Sequence, residues 1–484
     1  MDVDLLQFEP KHLWKHFDAL RKIPRCSGNE RAAGDYVTEQ AKRLGYEYRR
    51  DEVGNIVVRK PASPGKEHAE GVVLQSHLDM VCEKNSDVDF DFSKEAIRLR
   101  QEGDWLYAQG TTLGADNGIG VAACLAVMED QSLVHGPVEL LFTIDEETDL
   151  TGASRLKPDF VKGRRLLNLD SEEEGVFFIG CAGGADTSFV IPVKKEAAAG
   201  RTLSVKVSGL KGGHSGIDIH KNRGNAIKFL GRMLWNAAQK LPLRLVSIHG
   251  GNKRNAIPRE IEAQVVVPAD QVDTFKSILT QVFTELKAEF GSVEKEMSFE
   301  VKDAGTAAKE AWDEASTRKV LNVVYALPNG VLKMSADIPD LVETSMNLAT
   351  IHSKNGEVEL GISSRSSINP ALEATRQQLK AMAELVGAAV DQPPGYPGWA
   401  PNLQSPILAT VKTTYREING TDPEFKAIHA GLECGIIGEK YPGMDMISLG
   451  PQIEHPHSPE ERVNIPSVKR FWDLLAATLK KLAQ

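Results

Sequence analysis

Histidine and carboxylate side chains cluster immediately after three short apolar runs of this sequence. The runs, with the polar residues that follow them, are 72–74 with His77 and Asp79, 138–144 with the Asp-Glu-Glu triplet 145–147, and 166–169 with Asp170 and the glutamates 172–174. In open α/β sheets, functional sites form outside the carboxyl ends of the strands. Imidazole and carboxylate groups are ligands of divalent metals. The pattern therefore predicts a metal site where three strands end.

Two further polar groups accompany predicted elements. Residues 110–118, which include Asp116, precede a predicted helix at 119–128. Residues 455–461, which include His455 and His457, follow the last predicted strand. Both groups offer additional imidazole and carboxylate ligands to the same site.

The elements that must position these groups alternate between helices and strands. Apolar residues recur at helical spacing in 13–20, which ends before Pro24, and in 33–44, which ends at Gly45. The short apolar runs, including one at 55–58, lack polar alternation, as is typical of strands covered on both faces. This order predicts an α/β domain with a central, mostly parallel sheet.

A change of pattern near residue 186 predicts an inserted α+β domain. Alternating strand patterns then mix with long helical stretches, and a Pro- and Gly-rich segment at 391–401 is expected to be a linker. The first pattern returns after that segment and closes with an apolar helical face at 468–482. The predicted domains are 1–185 and 402–484, forming one α/β domain, and 186–401, inserted between them.

Composition excludes several function classes. Lys and Arg number 57 against 67 Asp and Glu, a net charge of −10 without a clustered basic stripe, so nucleic acid is not an expected partner. No run reaches the roughly 18 apolar residues that span a bilayer, and the first residues do not resemble a signal peptide. The five cysteines form no CxxC pair, so we expect reduced, buried thiols and a cytoplasmic location. His12 and His16 are expected to be surface residues.

Six segments resemble the di-zinc peptidase family that includes aminoacylase, the bacterial tripeptidase and succinyl-diaminopimelate desuccinylase. The resemblance is closest to the broad-specificity cytosolic dipeptidases of that family. The segments are SHLDMV at 76–81, TTLGADNG at 111–118, DEETDLTGA at 145–153, NLDSEEEG at 168–175, GGHSGIDIHKNRGNA at 212–226 and EHPHSPEER at 454–462. The resemblance implies a catalytic α/β domain interrupted by a lid and dimerisation domain, and a homodimer.

The resemblance also implies two divalent metal ions. The implied ligands are His77, Asp116, Glu147, Asp170 and His457. Asp116 would bridge the metals, with His77 and Asp170 on one ion and Glu147 and His457 on the other. Each metal then has three protein ligands and an open position, which is the arrangement of catalytic zinc. The ligand types favour zinc and allow manganese or cobalt. His455 remains an alternative to His457, and the glutamates 172–174 remain alternatives to Asp170.

Catalytic roles follow for two further carboxylates. Glu146 would be the general base that takes a proton from the metal-bridging water, which then attacks as hydroxide, and passes that proton to the leaving amine. Asp79 would hold the second ring nitrogen of His77. In the related enzymes the peptide bond after the bridging aspartate is cis, so the Asp116–Asn117 bond is expected to be cis.

The inserted domain would supply most of the substrate-binding residues. By resemblance, His214 stabilises the tetrahedral oxyanion, a role that the partner subunit often fills. Asn255 and Arg365 match positions that hold the carboxylate end of the substrate, and the planar fork of Arg suits that ligand. Gly435 is expected at the wall of the cleft.

The sequence therefore predicts a metallopeptidase that hydrolyses dipeptides with a free amino terminus, including Xaa-His dipeptides. One alternative is an N-acyl-amino-acid deacylase, which shares the metal site. The other is a non-catalytic binding module on the same fold.

Overall fold

The computed structural model describes residues 3–484. Its α-helices are α1 (Lys11–Leu20), α2 (Arg31–Leu44), α3 (Ala115–Glu129), α4 (Glu146–Asp149), α5 (Thr151–Arg155), α6 (Ala226–Ala238), α7 (Val272–Phe290), α8 (Glu314–Ala326), α9 (Asn369–Val386), α10 (Pro406–Asn419), α11 (Glu433–Lys440) and α12 (Ile465–Leu482). Short 3₁₀ helices lie at Leu5–Gln7 and Ala269–Gln271. Among the described residues, no helix combines the length and the apolar composition needed to cross a bilayer.

The strands of the first half of the chain are β1 (Glu47–Arg50), β2 (Ile56–Lys60), β3 (Val72–His77), β4 (Leu99–Glu102), β5 (Trp105–Ala108), β6 (Val138–Thr143), β7 (Arg165–Asn168), β8 (Val176–Cys181), β9 (Gly183–Pro192), β10 (Lys195–Ala197), β11 (Arg201–Ser208) and β12 (Gly213–His214). Those of the second half are β13 (Arg244–Gly250), β14 (Ala256–Ile257), β15 (Ile261–Val267), β16 (Ser298–Asp303), β17 (Glu310–Trp312), β18 (Gly330–Met334), β19 (Val342–Lys354), β20 (Glu357–Ser366), β21 (Ala389–Asp391), β22 (Glu424–Ile428), β23 (Asp445–Ser448), β24 (Ile453–Glu454) and β25 (Arg462–Asn464).

The chain divides into two compact units. Among the described residues, the first contains 3–181, 399–427 and 432–484, and the second contains 182–398 and 428–431. The sequence analysis set its boundaries at 185/186 and 401/402. The return of residues 428–431 to the second unit has no counterpart in that prediction.

The first unit is built on an eight-stranded sheet in the order β1-β2-β6-β3-β7-β23-β8-β22. The central strands β6, β3, β7 and β23 are parallel, and β2 and β8 pair with them antiparallel. His77 lies opposite Thr143 and Gln75 lies opposite Asn168, so these three strands end at one edge of the sheet. The predicted α/β class is confirmed, with antiparallel strands outside a parallel centre.

Helix α3 packs against β3 and α1 in the first unit. Its residues 115–128 are all buried, which agrees with an apolar composition on every face. The hydroxyl of Ser76 in β3 lies 3.7 Å from the thiol of Cys124, so the two elements also meet through polar atoms. This packing fixes the first turn of α3, which carries Asp116, against the end of β3.

The second unit is a nine-stranded sheet packed against helices. Its path is β16-β11-β15-β13-β19-β20-β9-β21, with β18 paired to β19, and neighbouring strands are antiparallel. Buried apolar residues of the strands and of α6, α7, α8 and α9 form one core. Asn225 caps α6 by accepting from the Lys228 amide and donates to the Leu348 carbonyl at 2.9 Å, which ties the helix to β19.

The expected linker at 391–401 contains the boundary between the two units, at 398/399, and backbone bridges hold it. The backbone of Tyr396 pairs with Gly184, and the backbone of Trp399 pairs with Cys181. Trp399 is only 9% exposed. Pro and Gly exclude regular helix and sheet here, but the amides between them still form isolated bridges.

Two expectations about single residues are wrong. Cys26 and Cys82 form a disulfide across 56 residues, although Cys124, Cys181 and Cys434 are free and buried as expected. His16 is buried rather than exposed, because its ring nitrogens meet the Tyr36 hydroxyl at 2.8 Å and the Glu129 carboxylate at 3.0 Å. The disulfide and the contacts of His16 join residues on different segments, so the local spacing of the sequence does not reveal them.

Candidate metal centre

The five predicted ligands lie on separate segments of the first unit. His77 is the last residue of β3, Asp170 follows β7 by two residues, and Glu147 lies in α4 just after β6. Asp116 is in the first turn of α3, and His457 lies between β24 and β25. Because β3, β6 and β7 are parallel, their carboxyl ends bring three of these side chains to one edge of the sheet.

The carboxylate of Asp116 faces one imidazole with each of its oxygens. Its Oδ1 lies 3.1 Å from Nε2 of His77, and its Oδ2 lies 3.2 Å from Nε2 of His457. Nε2 of His77 is also 3.2 Å from Asp170, and Nε2 of His457 is 2.9 Å from Glu147. The side chains therefore form two trios that share Asp116.

Each trio has the composition and spacing of a divalent metal site. Potential ligand atoms of His77, Asp116 and Asp170 lie within 4.8 Å of one another, as do those of Asp116, Glu147 and His457. Oε1 of Glu147 is buried without a hydrogen-bond partner. A buried carboxylate oxygen without a donor is costly unless a cation balances it. The residues present therefore fit a pair of divalent cations.

The charges of the site favour positive charge at both imidazoles. Hydrogen bonds that the His457 ring donates to the Asp116 and Glu147 carboxylates raise the pKa of His457 to about 11. Burial lowers the pKa of His77, but the nearby Asp170 and Asp116 carboxylates raise it well above its ordinary value. Burial raises the pKa of Asp170, and the negative charges of the neighbouring carboxylates add to this effect, so that the pKa is about 6. Cations bound by the two trios would compensate the same excess of negative charge.

Asp79 contacts two of the segments that carry predicted ligands. Its carboxylate lies 3.3 Å from Nδ1 of His77 and accepts from the amides of Glu146 and Glu147 at 3.0 and 3.1 Å. The Ser27 hydroxyl donates to it at 2.8 Å. Burial raises the pKa of Asp79, but the hydrogen bond with His77 and these donors bring it down to about 2. Asp79 therefore stays ionised while it orients His77 and the first turn of α4.

Glu146 lies beside the two trios that share Asp116 and belongs to neither of them. Burial, together with the charges of Asp170, Glu433 and Glu147, raises the pKa of Glu146 well above its ordinary value. It forms a third group of potential ligands with His77 and Glu147. A carboxyl with a raised pKa next to a metal site is suited to exchange a proton near neutral pH.

Asn117 joins three of the segments that carry ligands. The amide of His77 donates to its Oδ1 at 3.3 Å, and its Nδ2 donates to the Leu169 carbonyl at 2.7 Å. The Asp116–Asn117 peptide bond is cis, as expected. The side chain of Asn117 thus spans from the end of β3 to the end of β7.

The alternative ligands lie outside both trios. Glu173 pairs with Lys426, and Glu174 pairs with Arg470. Burial raises the pKa of Glu172 to about 9, but Glu172 belongs to no ligand group among the described residues. His455 is exposed and likewise belongs to none. The geometry therefore supports Asp170 and His457.

Sequence reasoning missed a buried carboxylate at the start of α11. Glu433 is 0% exposed, and its Oε2 accepts from Gln75 at 2.6 Å and from the Thr143 hydroxyl at 2.7 Å. Burial raises the pKa of Glu433 to about 7. The sequence analysis selected Gly435, whose amide bonds to the Leu432 carbonyl in the same turn. No local pattern distinguishes Glu433 from a solvated residue.

The other predicted substrate residues lie in the second unit. His214 in β12 pairs with Ala256 in β14, and the Ser215 amide donates to the Asn255 carbonyl at 2.8 Å. A Cβ at Gly216 would lie 3.1 Å from the His214 ring and 3.2 Å from the Arg365 side chain, so these residues are neighbours. The structure therefore brings His214, Asn255 and Arg365 to one region of this unit.

The ring of His214 has a defined proton position. Its Nδ1 accepts from the amides of Gly216 and Ile217, both at 3.1 Å, so the proton of the neutral ring resides on Nε2. Burial, followed by the charge of Arg365, lowers the pKa of His214. Arg365 itself donates to the Tyr396 hydroxyl at 2.8 Å. Nε2 of a neutral His214 is thus a hydrogen-bond donor.

Comparisons with known proteins identify the family of this chain. The model of peptidase family M20/M25/M40 matches residues 73–481. The chain is 42% identical to the cytosol non-specific dipeptidase of Escherichia coli K12 over 481 residues, which is 99% of each chain. The crystal structure of aminoacylhistidine dipeptidase from Vibrio alginolyticus superimposes with a TM-score of 0.93 at 42% identity, covering 99% of this chain and 98% of that one.

A more distant structure shares the fold alone. The aminopeptidase PepT of Bacillus cereus aligns with a TM-score of 0.58 at 16% identity, over 99% of this chain and 100% of that one. The family resemblance inferred from the six sequence segments is confirmed by the family match and by the relatives at 42% identity. The chain therefore belongs to peptidase family M20/M25/M40.

Proposed function

We propose that this chain is a metal-dependent dipeptidase that hydrolyses dipeptides with a free amino terminus, including Xaa-His dipeptides. One observation carries the proposal: the two oxygens of Asp116 face two separate trios of imidazole and carboxylate groups. The names of the relatives from Escherichia coli and Vibrio alginolyticus support dipeptides, and aminoacyl-histidines among them, as substrates.

The five ligands would hold two divalent cations, with Asp116 shared between them. Divalent cations held there would supply Lewis acidity, which polarises a peptide carbonyl and lowers the pKa of a bound water to about 7. Imidazole and carboxylate ligands favour zinc and also admit manganese or cobalt. Asp79 would keep His77 oriented and its Nε2 free for the metal, because the carboxylate meets the other ring nitrogen.

Glu146 would move the proton. Its carboxylate would take a proton from the attacking water and deliver that proton to the nitrogen of the leaving amine as the peptide bond breaks. Its position supports this role, since a carboxylate oxygen of Glu146 lies within 4.8 Å of potential ligand atoms of His77 and Glu147, at the proposed metal site. Glu147, the next residue, faces His457 and would serve as a ligand instead.

The second unit would bind the substrate. The Nε2–H group of His214 is a donor available for the oxyanion that develops at the carbonyl. Arg365 and Asn255 would hold the carboxylate terminus, and Gly435 of the first unit would lie at the cleft wall. His214 would reach the site either through closure within one chain or from a second copy in a homodimer formed through the inserted domain.

We also propose a cytoplasmic location, which the name of the Escherichia coli relative supports. An N-acyl-amino-acid deacylase would use the same ligands and remains the alternative activity. It differs in requiring a blocked rather than a free amino group.

A substrate panel tests the proposed activity. We expect hydrolysis of Ala-His and Ala-Ala that a chelator abolishes and that added zinc or manganese restores. N-acetyl-Ala-His and N-acetylalanine should be cleaved far more slowly, because the proposed substrates carry a free amine. Faster cleavage of N-acetylalanine than of the dipeptides would instead identify a deacylase. Absence of both bound metal and chelator-sensitive hydrolysis would favour a non-catalytic module.

The adjacent glutamates provide a matched pair of variants. We expect Glu146→Gln to lower kcat by about 10²–10⁴ while both metals stay bound, because only proton transfer is lost. Glu147→Gln should lower the metal content, because it removes a ligand from one trio. Metal content by mass spectrometry and steady-state kinetics measure the two effects. Metal loss in Glu146→Gln together with retention in Glu147→Gln would reverse the two assignments.

His214→Ala tests the contribution of the second unit. We expect kcat to fall by about 10²–10³ with little change in metal content or KM, since the donor acts mainly in the transition state. His220→Ala, which changes an exposed histidine of the same segment, is the control. An unchanged kcat in His214→Ala would remove this residue from the proposed mechanism.

Mixing His214→Ala with Glu146→Gln protein separates the two routes to the site. If His214 acts from a second copy, heterodimers hold one complete site and activity returns after subunit exchange. A tag on one variant confirms that exchange has occurred. If heterodimers form and stay inactive, His214 does not act from a second copy, and closure within one chain is the remaining route.

A further inference from the structure

The backbone amides at and before Asp116 donate hydrogen bonds to a second buried carboxylate. Glu461, which immediately precedes β25, is 2% exposed. Its Oε2 accepts from the amides of Leu113 and Gly114 at 2.7 and 2.9 Å. Its Oε1 accepts from the amides of Ala115 and Asp116 at 2.7 and 3.2 Å. One carboxylate therefore satisfies four consecutive backbone donors that end at the shared residue of the two trios.

The other side of this loop meets a buried cation. Arg25 is 2% exposed and donates through Nη2 to the Gly114 carbonyl. Through Nη1 it donates to the carbonyls of Leu78 and Asp79 at 3.1 and 2.8 Å. Gly114 has φ +69°, and a Cβ there would lie 2.5 Å from the Arg25 guanidinium, so a larger residue would be strained and would displace Arg25. Residues 113–116 are thus held between Glu461 and Arg25, and Arg25 connects them to the segment after His77.

We propose that Glu461 is a positioning residue that fixes Asp116 where its two oxygens can serve both trios. The inference rests on the proposed metal site but concerns a residue that touches neither the substrate nor the proposed cations. An ionised carboxylate can accept all four hydrogen bonds, because both of its oxygens are acceptors. A displacement of the 113–116 backbone would move Asp116 relative to His77 and His457 together. Loss of Glu461 should therefore lower the affinity for both metal ions to a similar extent.

The choice of this glutamate could not be made from sequence. Glu460 and Glu461 are adjacent in the segment SPEER, and both resemble a solvated charge run. In the structure, Glu460 is exposed and Glu461 is buried. This difference supplies a control of identical chemistry one residue away.

Metal titration of Glu461→Gln, with Glu460→Gln as the control, tests the proposal. The glutamine keeps the size of the side chain but turns an NH₂ group toward two amides, so two acceptors are lost. We expect the dissociation constants of both zinc ions, measured by competition with a chelating dye on the metal-free protein, to rise by about 10–100-fold, as for other outer-shell partners of metal ligands. The control should match the parent.

Activity at saturating zinc provides a second readout. Because Glu461 does not touch the substrate, KM should stay at the parent value and kcat should recover as zinc is added. A merely structural role would instead lower the melting temperature of the metal-free protein and leave the zinc constants unchanged. A change in only one of the two constants would also overturn the proposal, because the effect would not pass through the shared Asp116.

Two outcomes remain distinct from these. If Glu461→Gln does not fold, Glu461→Asp keeps the charge and shortens the reach by one methylene, and both constants should still rise. Failure of both variants to fold would overturn the proposal by assigning Glu461 to the stability of the unit. A parent protein that binds two zinc ions but cleaves no dipeptide would refute the proposed function without affecting the comparison of Glu461 with Glu460.

Discussion

The structure concentrates negative charge at one edge of a parallel sheet, and the sharing of Asp116 organises that charge. With one oxygen 3.1 Å from His77 and the other 3.2 Å from His457, this carboxylate makes two compact groups out of five side chains. Buried carboxylates so close together are unfavourable without positive charge. The need for compensating cations, which is the basis of the proposed chemistry, therefore arises from the fold itself.

Several other residues hold in place the backbone that carries the proposed ligands. Asp79 accepts from the first turn of α4 while it meets His77, and Asn117 spans from β3 to β7. Glu461 satisfies four amides before and at Asp116. Each of these side chains bonds to the backbone of a segment other than its own. The geometry of the proposed ligands therefore depends on contacts between segments that no single strand or helix could provide. Such supporting partners tune a metal site nearly as strongly as its ligands.

The sequence predicts the strands that precede the proposed ligands, because the signals of those strands are local. Short apolar runs mark the strands, and the polar residues that follow them, such as His77 and Asp170, must lie at the sheet edge. The same local reasoning misses Glu461 and Glu433, whose burial results from segments hundreds of residues away. It also misses the disulfide between Cys26 and Cys82, which are 56 residues apart, and the burial of His16, whose ring contacts Tyr36 and Glu129 on other segments. In residues 391–401, composition predicts irregular backbone but not its bridges to Gly184 and Cys181.

Anomalous diffraction from crystals of the protein loaded with zinc tests the central claim most directly. Data collected above and below the zinc absorption edge locate each ion without reference to activity. The account predicts two peaks about 3.5–4 Å apart, one among His77, Asp116 and Asp170 and the other among Asp116, Glu147 and His457. A single peak, or two peaks that do not share Asp116, would contradict it.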